Sequence, residues 1–489
     1  MNAQLLKIIL SISFFFFFSK DLMAQEQLNF PAVNEKTYSY YLKGEWKKLI
    51  ETGKIAKKAG IDFYFLKLRM GIAYYSLKRY RQSIPYFEAA AKESPDDEFV
   101  LEYLYYAYLF ADKHSEARNL SSGFPTKFKE KLRLKEKAGL SAIEFETKFD
   151  TWDDYTVEGL DTDTIQQAVQ QGFNYYGLNA IINFRKGSVL TSSYSWTKIK
   201  EEGMWLNSSG NTTYYDRNVS QNQIYLSFQQ RLGKGWDLTV ANNLLFYALK
   251  DEYNEVVNSS TLKSGPGSGS GQGSGSGSGF GGGSTSVSTS GSGYGSGTGS
   301  GSGFGSGISA FSVYNSILDN SFDYVFYFGL YKDFSLFKTG ITASLAGLDN
   351  NLQLQPGLNF TVYPFGNADF YLTSRFSWLY EKFYTSEYSQ LVFKQNLGIK
   401  LWKVYLEPSY TFGEMFNLIE WNGYIINNSN DIQRNRFELL TYSFLFKGRL
   451  NLFFKYQTFE RINYYIINDL TQSINYQYQT FTGGITWKF

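Results

Sequence analysis

The residue types that usually carry chemistry are scarce in this chain. It has one histidine, His114, and no cysteine. An imidazole-based triad or acid–base pair would therefore have to use His114, which falls in a helical stretch where a packing position between helices is expected. Thiol catalysis is excluded, and no His/Cys cluster exists to hold zinc. Asp and Glu show no distinctive spacing, so a carboxylate-only hydrolase is open but unsupported. Residues 264–307 contain many Gly-x-Gly matches, yet they lack a lysine and a strand–loop–helix setting, so they are not a phosphate-binding loop. No basic-aromatic module points to nucleic acid. The chain reads as a non-enzyme with no cofactor and no metal.

What remains is binding and passage. One candidate set alternates polar with apolar along extended segments. It comprises Arg185, Tyr225, Arg231, Arg375 and Lys394, then Lys400, Glu407, Lys447, Lys455 and Arg461. On the inside of a barrel these would make a wettable wall of mixed charge, with no single-sign ring to declare ion selectivity. Lumen tyrosines such as Tyr225, Tyr327 and Tyr371 offer faces on which sugars stack, or they simply fill space and support the strands.

The elements that would position this set are strands. From Ile143 onward the hydrophobic period is two. Leu352, Leu354, Leu358 and Phe360 alternate with Gln353, Gln355, Gly357 and Asn359, and Phe370, Leu372, Phe376, Trp378 and Tyr380 alternate with Asp369, Tyr371, Thr373, Arg375 and Ser377. In a membrane barrel the apolar face meets lipid and the polar face lines the lumen. Fourteen such segments are expected, the first beginning near 142 and the last near 476. Short turns fall near 186–187, 232–235, 332–333, 366–367, 403–404 and 448–449. Longer links fall near 151–171, 200–220, 250–319, 346–351, 382–389, 418–435 and 466–475. Short turns at one end and long loops at the other are the habit of outer-membrane barrels. The last strand carries Phe481, Ile485, Trp487 and the terminal Phe489 on one face and Thr480, Thr482 and Thr486 on the other. The apolar set is a barrel-assembly signal, which implies the barrel-assembly machinery and outer-membrane lipid as partners.

Upstream the period is helical. Residues 64–97 read as one helix pair, with Gly71, Tyr74, Tyr80, Phe87, Ala90 and Pro95 in the tetratricopeptide pattern. A shift of 34 places Leu104, Tyr108 and Ala117 in register, and the reverse shift places Trp46 and Ala56. On the concave face of such an array, Phe65, Leu68, Ile72, Tyr75 and Ser76, with Tyr105 and Leu109, would form a groove for an extended peptide, an amphipathic partner or an exported polymer. The same side chains could instead pack against a neighbouring repeat or the barrel.

Composition fits this division. Of 489 residues, 40 are Tyr and 43 Phe, while the mean hydropathy is −0.31. Many aromatics without overall hydrophobicity suit a barrel, where only one strand face meets lipid. Lys7, the apolar residues 8–18 and the small-residue site at Ala24 read as a signal peptide over 1–24, too short to span a bilayer. Without cysteine the mature chain carries neither a lipid anchor nor a disulfide. Residues 26–140 hold 21 Lys and Arg against 15 Asp and Glu, and residues 141–489 hold 24 against 29. The basic helical part could favour an anionic polymer, or simply be solvated. The Gly/Ser-rich run 264–307 cannot bury a core and is expected to be a disordered outer loop with an end-to-end distance of roughly 35–40 Å.

The expected organisation is thus α+β and multidomain. A signal peptide spans 1–24, a periplasmic tetratricopeptide-like domain 26–138, and an antiparallel transmembrane β-barrel of about fourteen strands 141–489. This layout resembles the outer-membrane proteins that join tetratricopeptide repeats to a barrel. These include the surface-lipoprotein assembly modulators, the exopolysaccharide exporters and the YaiO-like proteins. The resemblance implies a Gram-negative outer membrane, repeats in the periplasm, and recruitment of a cargo or partner for export or surface assembly. Surface display through the Gly/Ser-rich loop and a passive porin are the other readings. The fourteen-strand count lies nearer the lipoprotein modulators than the sixteen-strand exporters.

Overall fold

The computed structural model describes residues 29–134, 139–152, 166–184, 187–206, 212–256, 318–348, 351–382, 387–427, 432–467 and 470–489. The leader expected at 1–24, the run 264–307 and Arg185 lie outside the described residues. The chain divides into two compact units, Met1–Ala111 and Asp112–Phe489.

The first unit is helical. Its described elements are α1 (Phe30–Lys43), α2 (Trp46–Lys58), α3 (Tyr64–Ser76), α4 (Tyr80–Glu93) and α5 (Glu98–Phe110). Asn29 caps α1 by accepting from the Ala32 amide at 3.0 Å, and Asp97 caps α5 by accepting from the amides of Phe99 and Val100. The first helices start at residues 30, 64 and 98 and the second helices at 46, 80 and 114, a period of 34 in each series. The turn inside each pair repeats as well. Gly44, Lys78 and Asp112, again 34 apart, all take positive φ, of 67°, 57° and 60°. Small residues let the helices close. A side chain at Gly71 would meet the ring of Phe87 at 2.6 Å, so glycine is what allows α3 to lie against α4. Val33, Leu49, Ile50, Leu66, Met70 and Tyr74 form the core. Arg69 ties α1 to α3 by donating to the Asn34 carbonyl at 3.0 Å and to the Thr37 hydroxyl at 3.1 Å.

The second unit opens with α6 (His114–Ser122) and α7 (Thr126–Lys131) and continues as a closed barrel. Its strands are β1 (Gly139–Trp152), β2 (Gln166–Asn183), β3 (Val189–Leu206), β4 (Thr212–Gly233), β5 (Trp236–Val256), β6 (Leu318–Asp333) and β7 (Phe337–Leu348). They continue as β8 (Asn351–Val362), β9 (Phe370–Lys382), β10 (Glu387–Leu401), β11 (Val404–Glu414), β14 (Ile432–Leu445), β15 (Leu450–Ile467) and β16 (Leu470–Lys488). Two short strands, β12 (Leu418–Glu420) and β13 (Ile425–Asn427), stand apart from this wall. All wall pairs are antiparallel, and β1 closes on β16 with Ala142 opposite Lys488 and Trp152 opposite Tyr478. Closure leaves no edge, which is what a sheet in hydrocarbon requires.

The faces follow the alternation. Leu352, Leu354, Leu358 and Phe360 are exposed outside, while Gln353 and Gln355 are buried inside. On β16, Ile485 and Trp487 face out, Thr480, Thr482 and Thr486 face in, Phe489 just beyond the strand is exposed, and Phe481 stacks on Phe149 across the closing seam at 5.2 Å. An apolar exterior around a polar interior is the arrangement of a membrane-spanning barrel.

The links at the end away from the barrel termini are shorter than expected. β3 runs to Leu206 and β4 starts at Thr212, with 18 and 22 residues in the two strands. Crossing hydrocarbon needs only about 9–11 tilted residues. Beyond the lipid both strand faces are wet, so alternation stops while the hydrogen-bond ladder continues.

At the other end α6 is fixed to the turns of the barrel. Lys113 lies 3.3 Å from Asp333, and Glu116 lies 2.9 Å from Arg231, which also holds Asp237 at 2.8 Å. His114, the first residue of α6, is exposed and sits 3.4 Å from Asp112. The packing position expected for it is not where it lies: as the opening residue of its helix it faces solvent.

Candidate functional site

The link at 418–435, expected as an outer loop, instead turns into the barrel. After β11 the chain buries Met415, Phe416, Asn417, Leu418 and Ile419, pairs β12 with β13 through Ile419 and Ile426, and returns to the wall at β14. Its apolar residues explain the inward path. Met415 and Leu418 pack on Leu379 and Val392 of the wall, and Ile419 packs on Val325, Ala346 and Leu348. Burial of such side chains stabilises by about 25 cal/mol per Å² of apolar surface, which a solvated loop would forgo.

Polar side chains of the wall satisfy the hairpin backbone. Gln353 Nε2 donates to the Asn417 carbonyl at 2.9 Å, Asn243 Nδ2 to the Gly423 carbonyl at 2.8 Å, and Gln223 Nε2 to the Tyr424 carbonyl at 2.8 Å. The Tyr225 hydroxyl donates to the Asn422 carbonyl at 3.1 Å. Glu420 forms ion pairs with Arg436 and, at 3.2 Å, with Lys394. The Tyr424 hydroxyl reaches Glu146 on β1 and, at 2.9 Å, the Tyr175 hydroxyl on β2. These anchors come from strands on opposite sides of the barrel, so the hairpin crosses the lumen.

Its tip turns through the left-handed region. Trp421, Asn422 and Gly423 have φ of 51°, 60° and 88°. The same run recurs at the wall turn Phe446–Gly448, with φ of 48°, 58° and 85°, so the hairpin tip is a tight turn of the kind the barrel also uses between strands. Trp421 keeps 42% of its surface exposed inside the lumen. Two cavities, of about 370 and 560 Å³, flank it and share Tyr371, Thr373, Arg375, Lys394 and Trp421.

The residues expected to line the lumen fall into several positions. Tyr225 and Lys394 are hairpin anchors, and Lys394 also lies 3.2 Å from Glu438. Arg375 and Lys455 line the cavities. Glu407 accepts hydrogen bonds from Tyr371 and, at 2.9 Å, from Tyr442. Lys400 stands near the terminal end of β10, 3.5 Å from Asp369. Arg461 is buried with its guanidinium 3.5 Å from the ring centre of Tyr478. Arg231 anchors α6. Lys447 is not part of the lumen wall. It sits exposed in the left-handed turn Phe446–Gly448 between β14 and β15, where the strand alternation that assigned it inward has ended.

On the helical unit, Phe65 and Ser76 are exposed, and Leu68, Tyr75 and Leu109 are half-buried. Ile72 and Tyr105 are buried and offer no surface to a ligand. Tyr105 stands one 34-residue period after Gly71, at the position that faces the paired helix, and Tyr106 is the counterpart of Ile72. Tyr75 is surrounded by the rings of Tyr80, Phe87, Tyr103 and Phe110. Burial raises its phenol well above the ordinary value, with the neighbouring phenols adding to the effect.

The hairpin and Trp421 were not singled out from sequence. The signal was present: Met415-Phe416-x-Leu418-Ile419 and Tyr424-Ile425-Ile426 are too apolar for a water-exposed loop.

No protein-family model and no curated protein matches this sequence. Among solved structures, the chain is similar to a Pseudomonas aeruginosa FadL homologue, at 7% identity and a TM-score of 0.38, covering 72% of this chain and 91% of that one. It is similar also to the Pseudomonas putida toluene transporter TodX, at 8% identity and a TM-score of 0.39, covering 72% and 90%. An anion-selective porin from Comamonas acidovorans matches at 7% identity and a TM-score of 0.29, covering 72% and 100%. The fold described above rests on the strand pairing itself, and no functional property is taken from these barrels.

Proposed function

We propose that this chain is a non-enzymatic outer-membrane transport barrel that passes small polar solutes through a lumen narrowed by the hairpin between β11 and β14. The observation that carries this reading is the hairpin itself, held across the lumen by wall residues such as Asn243 and Gln353. A lumen divided this way suits a solute that fits the flanking cavities. It weighs against an unobstructed porin, and against a polymer or folded cargo passing while the hairpin stays in place.

Orientation follows from the alternation of link lengths, with the short turns and both barrel ends in the periplasm and the longer loops outside. The helix pairs, whose 34-residue period is that of tetratricopeptide repeats, would then recruit a periplasmic partner or cargo. Phe481, Ile485, Trp487 and Phe489 would present the last strand to the barrel-assembly machinery. Display of the Gly/Ser-rich run 264–307 stays a separate reading.

The test is planar-bilayer recording of the full chain beside a variant in which residues 417–427 are replaced by a short glycine turn. Small or rare current steps that become large and frequent in the variant support the reading. A variant that conducts no better than the parent sinks it.

A further inference from the structure

The cavities at the hairpin tip bring together a cation and an aromatic face that the fold does not use. Arg375 lines both cavities and has no ion-pair or hydrogen-bond partner among the described residues. The carboxylates lining these cavities have other partners: Glu144 is held by Asn179 and Thr486, Glu146 by Tyr175 and Tyr424, and Asp112 lies 3.4 Å from His114. Glu420 is held by Arg436 and Lys394, Glu438 by Lys394 and Gln457, and Glu407 by two tyrosine hydroxyls. Arg375 is half-buried on the cavity wall, so its guanidinium stays open to an anion that enters. Beside it, the Trp421 indole makes no ring contact or hydrogen bond among the described residues, although a left-handed backbone holds it in the lumen.

We infer that Trp421 and Arg375 form a binding site for an acidic monosaccharide, the indole under the C–H face of the sugar ring and the guanidinium on its carboxylate. The lining decides the class. Asn359, Thr342 and Ser377 line the smaller cavity together with the indole and match sugar hydroxyls, while Ile181, Ile425, Leu440 and Phe453 give the larger cavity an apolar stretch that the C–H face of a sugar ring can meet. A planar guanidinium grips a carboxylate through two parallel N–H···O bonds, which a lysine cannot reproduce. Cavities of about 370 and 560 Å³ lie in the size range of small-ligand sites.

This site gives a substrate class to the transport reading and rests on it only for its purpose, since binding can be measured without flux. The experiment is calorimetric titration of the full chain in detergent micelles with D-glucuronate, D-glucose and acetate. Glucuronate is expected to bind more tightly than either of the others. Arg375→Gln should weaken glucuronate by at least about tenfold and leave glucose unchanged. Trp421→Ala should weaken both sugars, and Trp421→Phe should restore most of the loss. Each variant is checked for the heat-modifiable electrophoretic shift of a folded barrel, and Arg375→Lys, which keeps the charge without the planar fork, should fall between wild type and Arg375→Gln. Acetate binding as tightly as glucuronate, no saturable sugar binding, or folded Arg375→Gln and Trp421→Ala variants that bind as wild type would each overturn the site. Liposome-swelling assays separate the two ideas. Saturable binding without solute entry would refute transport and keep the site, whereas entry without binding would refute the site alone.

Discussion

Gln355 treats Ile419 as one strand treats another. Its Nε2 donates to the Ile419 carbonyl at 2.7 Å and its Oε1 accepts from the Ile419 amide at 2.9 Å, all of it buried. A wall side chain thus supplies both halves of a ladder rung to a segment that has left the wall. Gln355→Leu keeps the volume but leaves both backbone groups of Ile419 without a partner, at about 1–3 kcal/mol each. The hairpin should then loosen. Single-channel recordings are expected to change from small, steady currents to larger, flickering ones, and traces indistinguishable from the parent would show that the hairpin is held by its apolar contacts alone.

The tether of α6 to the barrel turns can be tested in the same spirit. Lys113 with Asp333 and Glu116 with Arg231 are poorly exposed pairs, so each should exceed an ordinary surface pair, which contributes at most about 1 kcal/mol. Asp333→Ala with Glu116→Ala should speed cleavage by proteinase K within residues 112–134 while the strands stay protected. A cleavage rate equal to the parent's would mean that these pairs do not hold the helix.

Two glycines of the helical unit should respond oppositely to the same change. At Gly71 an added methyl meets the Phe87 ring at 2.6 Å, whereas at Gly53 it meets the thioether of Met70. The ring is fixed between helices, and methionine can move aside. Alanine gains about 1 kcal/mol of helix propensity at either site. Overpacking costs about 1–3 kcal/mol where the neighbour cannot yield. Gly71→Ala should therefore lower the midpoint of helical unfolding followed by circular dichroism, and Gly53→Ala should leave it level or raise it. Equal losses at both would contradict the argument.

The contrast between those sites also marks what was legible in the chain. The 64–97 helix pair could be read because Gly71, Phe87 and Ala90 do local work at a fixed period, and α3 and α4 occupy that window. The wall was legible for a similar reason. On β8 lipid selects Leu352 and Leu354 while the lumen selects Gln353 and Gln355, so the two faces are written into alternate residues. Strand ends were not, because pairing outlasts the lipid that imposes alternation. The hairpin was not legible as a path through the lumen, since its partners lie far away in sequence. Asn243 and Gly423 are 180 residues apart, and neither announces the other. Arg375 was picked out by alternation alone, and only Trp421 beside it gives it a distinctive role. That juxtaposition is a property of the closed barrel.

Alkaline pH should act first on the helical unit through its buried phenols. The Tyr64 hydroxyl donates to Asp97, joining the start of α3 to the cap of α5. Burial, the hydrogen bond and the Asp97 charge raise Tyr64 from 10.0 to about 12, and burial with Tyr74 nearby raises Tyr86 to about 12 as well. The folded state holds these protons more tightly than the unfolded chain. Their contribution is complete below pH 10, shrinks as pH rises from about 10, where the unfolded phenols ionise, and is gone above the folded values near 12. Helical unfolding midpoints should thus be flat from pH 8 to 9.5 and fall steadily above 10. In Tyr64→Phe the midpoint at pH 8 should be lower for loss of the Asp97 bond, and its fall above pH 10 shallower. A Tyr64→Phe curve parallel to the parent's would remove Tyr64 as a source of the slope and leave it to Tyr75, Tyr86 and Tyr103, all raised by burial.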